Sequence, residues 1–149
     1  MTNDVTFYDE IEAYCSTLSV AAGGRIGVHV STKQPHFGVR VERWGAERIE
    51  VFSADGIAGT FFEPPTNADA TGCDWPVSFE IDVEPEWQTG FYLVTLTAAG
   101  AAVGRNVGHA GFVVHAPRQR RQAALLVLGT NTWNAYNTRG GASLYTGGH

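Results

Sequence analysis

The sequence is poor in the residues that build most metal and redox sites. Of its 149 residues only two are cysteines, Cys15 and Cys73, and neither belongs to a Cys-x-x-Cys pair. The five histidines include no His-x-x-x-His pair. The sequence therefore predicts no zinc site. We expect two buried thiols that a cytoplasmic protein keeps reduced, rather than a disulfide.

Long apolar runs and large basic clusters are also missing. No run approaches the roughly 20 apolar residues that a membrane helix needs. The acidic start, MTNDVTFYDE, lacks the basic and apolar regions of a signal peptide, which favours the cytoplasm. The basic cluster RQRR, at residues 118–121, is too small to follow a nucleic-acid groove. These absences argue against a membrane protein and against a nucleic-acid partner.

Carboxylates are confined to the first part of the chain. Residues 1–86 hold all 15 acidic residues and five basic ones, whereas residues 87–149 hold five arginines and no acid. A segment without carboxylates cannot by itself supply a paired-carboxylate acid–base site or a cage for a hard metal ion. Any carboxylate used there must come from the first part or from outside these residues.

Apolar and polar residues alternate through most of residues 11–117, as they do in half-buried antiparallel strands. In VSFEIDV, for example, Val77, Phe79, Ile81 and Val83 are expected to face a core. AAGG, TKQPH, SADGIAG and EPPTNADATG have the composition of turns and loops. The pattern predicts a mainly β domain over residues 1–117, an immunoglobulin-like antiparallel sandwich of six to eight strands. The predicted strands are EIEAYC at an edge, RIGVHVS, GVRVERW, VSFEIDV, GFYLVTLTA and GFVVHA.

The character of the sequence changes after this region. APRQRRQ is polar and basic, and AALLVLG, at residues 123–129, is apolar on both alternating faces, as in a strand of a parallel sheet. Asn131 or Thr132 is then expected to cap a short helix over WNAYN. Ligands of open α/β sheets bind just past the carboxyl end of a strand. We therefore interpret residues 118–149 as a linker and the first strand–loop unit of a truncated α/β domain.

The segment LGTNTWNAYNTRGGASLY resembles the Thr-Trp/Tyr-x-Ala-Tyr-Asn-x-x-Gly-Gly-x-Ser-x-Tyr signature of the N,N-dimethylformamidase large (beta) subunit family. RIGVHVST, VRVERWG, EWQTGFYLVTL and GFVVHAP are similar to strands of that family, so the resemblance covers nearly the whole chain. It implies a β-sandwich followed by an α/β domain like that of class I glutamine amidotransferases. It also implies hydrolysis of a small amide to an acid and an amine, at a mononuclear iron held by two tyrosines and a glutamate.

The resemblance assigns Tyr136, the tyrosine of the Ala-Tyr-Asn motif, as the first iron ligand. The second tyrosine and the glutamate are expected past residue 149, which agrees with the absence of acid after Glu86. We therefore expect a fragment that is inactive alone and does not retain iron. The implied partners are a small subunit and further copies of the chain.

Other residues of the same segment are candidates for contacts with the substrate or with the ligands. The asparagines have a plainer interpretation as cap and turn residues, and the tryptophan as a residue that packs against the sheet. The serine lacks the Gly-x-Ser-x-Gly elbow of a nucleophile. The candidates are Trp133, Asn134, Asn137, Ser143 and Tyr145.

Two alternatives remain open from the sequence. One is a non-catalytic sandwich that serves as a binding or interaction module, with Trp44, Trp75 and Trp87 in a planar row for stacking on carbohydrate. The other is a remnant reading frame that folds poorly, because the apolar strand at residues 123–129 lacks partners. A planar row of the three tryptophans would support the first of these alternatives.

Overall fold

The computed structural model describes residues 10–100, 106–116 and 127–136, and within them the chain is mainly strand. The predicted mainly β fold is confirmed. Two short helices accompany the strands, α1 (Ala68–Thr71) and α2 (Thr130–Tyr136). The strands of the described residues are β1 (Ile11–Cys15), β2 (Ser19–Ala21), β3 (Arg25–Thr32), β4 (His36–Trp44), β5 (Arg48–Ala58), β6 (Phe79–Asp82), β7 (Gly90–Ala98) and β8 (Val107–His115).

The strands form two sheets. One sheet has three strands in the order β1-β3-β6, and the other has five in the order β2-β8-β7-β4-β5. Neighbouring strands are antiparallel except for β2, which runs parallel to β8. β1 and β2 follow each other in the chain yet join different sheets, so the first stretch of chain crosses from one sheet to the other. This arrangement, in which β5 extends a β8-β7-β4 sheet, is that of an immunoglobulin-like sandwich.

The core lies between the two sheets and follows the alternation of the sequence. On β7, the side chains of Tyr92, Val94 and Leu96 are completely buried, and they form one cluster with apolar residues of both sheets. Phe37 of the five-stranded sheet meets Phe79 of the other sheet, with ring centroids 6.0 Å apart. Each such buried apolar side chain stabilises the fold by about 1.5–3 kcal/mol relative to an exposed one.

Tyr92 lies at the centre of this core. Its ring stacks between Trp87 and Phe112, at centroid distances of 5.2 and 5.5 Å. Its hydroxyl donates a hydrogen bond of 2.7 Å to the carbonyl oxygen of Gln88. A buried tyrosine near the start of a strand, bonded back to the chain just upstream, is the tyrosine corner of immunoglobulin-like domains. Burial raises the pKa of the Tyr92 phenol, which favours the neutral form that can donate this hydrogen bond.

One segment that the sequence predicts as a turn lies inside a strand. Most of SADGIAG lies within β5, because a bulge absorbs the turn residues without breaking the strand. At this bulge, Asp55 and Gly56 together oppose Gly38 of β4, and Gly56 has a φ of 69°. A glycine in this left-handed conformation is the usual residue of such a bulge. The prediction of a turn here was wrong, and β5 was missed for that reason.

The prediction for VSFEIDV was wrong at its first residue. Ile81 and Val83 are buried and Glu80 and Asp82 face solvent, as predicted, but Val77 precedes β6 and is half exposed. Its methyl groups lie 3.1–3.2 Å from where a Cβ on Gly27 would sit, so it covers a strand face that has no side chain. Alternation predicts the face of a residue only where the regular strand has already begun.

The long connection from β5 to β6, residues 59–78, is fastened along β3. The Ser31 hydroxyl accepts a hydrogen bond from the backbone N–H of Phe62 and donates one to its carbonyl oxygen. The Ser78 hydroxyl bonds both backbone groups of Val30 in the same way. These bonds hold the connection against the three-stranded sheet, so that its residues 68–75 take part in the groove described below.

The predicted domain boundary lies outside the described residues, as does most of the predicted strand over residues 123–129. The described remainder of that segment, residues 127–129, forms no strand, and Val127 is largely exposed. Neither α1 nor α2, the helices of the described residues, is long and apolar enough to cross a membrane.

Removal of all residues after Ala116 is expected to leave a folded sandwich, because β8 ends at His115 and the core cluster lies entirely before it. Chemical denaturation followed by tryptophan fluorescence should give one cooperative transition. A broad, non-cooperative transition in the shortened chain would contradict the domain boundary predicted at residue 117.

Tyr92→Phe is expected to lower the free energy of unfolding by about 1 kcal/mol, because it removes one hydrogen bond and keeps the stacked ring. Urea denaturation measures this loss. Phe112→Leu serves as a comparison, because it removes a stacked ring and keeps the hydrogen bond. A Tyr92→Phe variant as stable as the unaltered chain would show that the corner contributes nothing.

Candidate functional site

A groove of about 930 Å³ runs along the side of the sandwich where β1 lies beside β8. Its lining comes from parts of the chain that are far apart in sequence. On the side of the three-stranded sheet, the groove is lined by β1 and by residues 71–75 of the long connection. On the side of the five-stranded sheet, it is lined by β7, β8 and α2. The groove therefore depends on the packing of both sheets and of α2.

Three residues form one side of the groove. The rings of Tyr14 and His29 are stacked with centroids 4.5 Å apart and an interplanar angle of 12°. The backbone N–H of Trp75 donates a hydrogen bond of 2.8 Å to the Tyr14 oxygen, and the Trp75 carbonyl oxygen lies 2.6 Å from Nδ1 of His29. That short distance makes Nδ1 the protonated nitrogen, because a carbonyl oxygen can only accept. Both side chains are therefore hydrogen-bonded to the backbone of Trp75, which is only 5% exposed.

The environment of Tyr14 favours its neutral phenol. Partial burial raises the pKa of Tyr14, and the nearby Cys73 and Asp74 raise it further, whereas the hydrogen bond from Trp75 acts in the opposite direction. Asp74 itself has a φ of 50°, in the left-handed region that aspartate tolerates better than most residues. This turn brings Trp75 back onto the sheet.

Helix α2 contributes the other side of the groove. It begins at Thr130, and the N–H of Trp133 donates to the carbonyl oxygen of Gly129 at 3.1 Å, which closes the first turn. The predicted helix is confirmed, but its predicted caps are wrong, because Asn131 and Thr132 lie inside it. A turn in which the Thr130 N–H bonds the Leu128 carbonyl oxygen starts the helix earlier than the sequence suggested.

Two of the residues predicted for the site, Trp133 and Tyr136, line the groove together. They are three positions apart in α2 and thus share one face of the helix. The Trp133 ring packs on Phe91 of β7 at a centroid distance of 6.3 Å, whereas the Tyr136 side chain is 63% exposed. Asn134 lies in α2, but the structure does not describe its side chain. The other predicted residues, Asn137, Ser143 and Tyr145, lie outside the described residues.

The donors of the groove fit iron only in part. The phenol of Tyr136 is a hard oxygen donor, and Glu12, Asp74 and His109 line the same groove. Within the described residues, however, no three His, Cys, Asp or Glu side chains converge as a metal site would require. Tyr136 therefore fits as one ligand of a ferric ion, and the other ligands implied by the resemblance are not among the described residues.

Sequence reasoning missed the Tyr14–His29–Trp75 cluster. Tyr14 and His29 are direct cross-strand partners in the β1–β3 register, and alternation along each strand could have shown only the face that each occupies. The register itself was not predictable, because β1 was expected only as an edge strand with no assigned partner. Trp75 is 46 residues from His29 and carries no local signal of the contact.

The structure does not support the carbohydrate-binding alternative based on three tryptophans. Trp75 is buried in the groove wall, and Trp87 is stacked on Tyr92 in the core. Trp44 lies elsewhere, on β4, with the guanidinium of Arg48 4.3 Å above its ring. The three rings therefore form no planar row.

Cys15 and Cys73 were expected to be buried thiols. Both are half-buried rather than fully buried, and both line the groove.

Comparison with known protein families gives a match over residues 39–149 to a family described as N,N-dimethylformamidase beta subunit-like, C-terminal. The matched range begins inside β4 and includes β5 to β8 and α2. It therefore contains Phe91, Trp133 and Tyr136, whereas Tyr14 and His29 precede it. No curated protein matches the chain. The resemblance predicted from the sequence motifs is confirmed by the family match.

Tyr14→Phe is expected to lower the free energy of unfolding by about 1–3 kcal/mol near neutral pH, because the buried N–H of Trp75 loses its acceptor. Because folding raises the pKa of Tyr14, its neutral phenol contributes fully to the stability of the fold below its ordinary pKa of 10.0. This contribution is lost as the pH rises through the pKa of the folded state. The variant should therefore lose less stability than the unaltered chain between about pH 8 and pH 11. Urea denaturation at both pH values measures the difference.

The Tyr14→Phe variant keeps some alkaline loss of stability, because the pKa of Tyr92 is also raised. Identical pH dependence in the variant and the unaltered chain would contradict the assigned environment of Tyr14.

Proposed function

This chain belongs to the N,N-dimethylformamidase beta subunit-like family, and on that basis we propose that it is part of an iron-dependent enzyme that hydrolyses a small amide to an acid and an amine. The observation that carries the proposal is the position of Tyr136. Its phenol is exposed on α2 and lines the groove at the side of the sandwich. In this proposal Tyr136 is the first iron ligand, and the groove is the approach to the metal.

The chemistry of a phenolate supports this role. Cations lower the pKa of groups that coordinate them, so the Tyr136 phenol would ionise on binding ferric iron. When bound, the iron supplies Lewis-acid polarisation of the amide carbonyl group. Tyr136 would hold the ion, and its exposure on the helix surface leaves room for the remaining ligands.

The residues around Tyr136 would bind and orient the substrate. Trp133 and Phe91 offer apolar ring surface on the same side of the groove, which suits the alkyl groups of an N-substituted amide. The stacked Tyr14 and His29 rings offer a second flat surface opposite. Asn134, Asn137, Ser143 and Tyr145 remain proposed contacts to the polar part of the substrate.

In the proposed enzyme, further iron ligands and partner subunits would come from outside this chain. A second tyrosine and a glutamate from outside residues 1–149 would complete the iron site, and the chain by itself would be inactive. A small subunit and further copies of the chain would be its partners in the cytoplasm.

Tyr136→Phe is expected to abolish the visible charge-transfer band of iron tyrosinate in the ferric protein. The band is measured by absorption spectroscopy after titration with ferric iron, in the 149-residue chain and in a longer chain that contains it. Tyr14→Phe is the matched control, because it removes the same atom from the opposite side of the groove and should leave the band unchanged.

Two results would contradict the proposal. In one, Tyr136→Phe keeps the band at full strength, which would place the iron on another tyrosine. In the other, neither chain develops the band although iron binds stoichiometrically. A band that forms only in the longer chain is the result expected if the remaining ligands follow residue 149.

A further inference from the structure

We propose that Gly111, Phe91 and Trp133 form a chain of contacts that fixes the position of Tyr136 in the groove. We call these three residues the anchor stack. They are positioning residues, since none of them supplies a ligand. The contacts of the anchor stack lie within the described residues, and only its bearing on iron rests on the proposed function.

The first contact joins a glycine of β8 to a ring of β7. Gly111 pairs with Leu93, so Phe91 is its diagonal neighbour on the outer face of the five-stranded sheet. A Cβ added to Gly111 would lie 2.7 Å from Cζ and 2.9 Å from Cε2 of Phe91. The Phe91 ring therefore lies directly on the glycine, in space that any side chain at position 111 would occupy.

The second contact holds the ring from its exposed side. Trp133 packs on Phe91 at a centroid distance of 6.3 Å and an interplanar angle of 58°. On the strand side, Trp44 meets the same ring nearly edge-on, at 6.3 Å and 79°. Phe91 does not belong to the buried core cluster, so its ring packs against these neighbours rather than against the core.

The third step leads from Trp133 to Tyr136 along α2. The helix has seven residues, with no acidic residue in its first turn and no basic residue in its last. A helix this short is not stable in isolation, and it gains no support from charges at its ends. Tertiary contacts must therefore hold it, and the packing of Trp133 on Phe91 is one such contact with the sandwich. The place of Trp133 determines that of Tyr136, one turn further on the same face.

The test labels the tyrosines of the 149-residue chain with 3-fluorotyrosine and follows them by ¹⁹F NMR. The chain has five tyrosines, and the resonance of Tyr136 is the one lost in Tyr136→Phe. Gly111→Ala displaces the Phe91 ring, and Phe91→Leu removes it. Without iron, both variants are expected to shift the Tyr136 resonance by more than its linewidth, with cooperative unfolding retained.

Gly45→Ala is the matched control. It is the same substitution in the turn between β4 and β5, where an added Cβ meets other atoms only at ordinary distances of 3.4 and 3.7 Å. It should leave the Tyr136 resonance in place. A Tyr136 resonance that stays in place in both Gly111→Ala and Phe91→Leu would overturn the anchor stack.

Iron, added to the longer chain that contains residues 1–149, provides the second readout. Residues that orient a ligand usually contribute about 10- to 100-fold to metal affinity. Both variants should therefore lower by that factor the affinity for ferric iron that is read from the Tyr136 resonance. If iron leaves this resonance unchanged in the unaltered longer chain, the proposed iron role fails. The spectra without iron still decide whether the anchor stack exists.

Discussion

The stacking of Tyr92 between Trp87 and Phe112 is the interaction on which the rest of the structure depends. It joins β7, β8 and the turn before β7 in one column of rings, and the tyrosine hydroxyl ties that column to the backbone. Because neighbouring side chains of a strand point to opposite faces, a fixed Tyr92 also fixes Phe91 on the outer face. The dipeptide Phe91–Tyr92 thus links the core of the sandwich to the groove beside α2.

This linkage gives the sandwich a part in the site. The groove takes one side from the three-stranded sheet, through Tyr14 and His29, and the other from β7, β8 and α2. The family match covers the second side, and of the first side it includes Trp75 but not Tyr14 or His29. In the proposed enzyme, the residues near the metal would thus belong to the part shared with the family, and the Tyr14–His29 stack would come from the part before it.

Much of the fold was predictable because period-two alternation is a local property. It identified β3, β4, β7 and β8 and the inward positions of Ile81 and Val83, both of which are buried. It failed where the outcome depends on partners distant in sequence. Gly56 was interpreted as a turn residue, since the bulge that accommodates it exists only when β4 lies alongside. β2 has three residues, and its pairing with β8 leaves no pattern long enough to detect.

The site was predictable to a smaller extent, and for a different reason. Tyr136 and Trp133 were identified through a motif that resembles a family signature, and both line the groove. The Tyr14–His29 stack required a register, and Gly111 beneath Phe91 required two strands in contact. Neither motif nor alternation carries such information, because it arises only when separate strands are assembled.

The most direct test of the account is the location of ferric iron in the folded chain. Paramagnetic iron broadens NMR signals near its binding site even at low occupancy, and diamagnetic gallium(III) provides the reference. The account predicts that side-chain signals of Tyr136 and Trp133 broaden first, followed by those of Tyr14 and His29 across the groove. Broadening centred on the exposed acidic residues Glu80 and Asp82, with the groove signals unaffected, would contradict it.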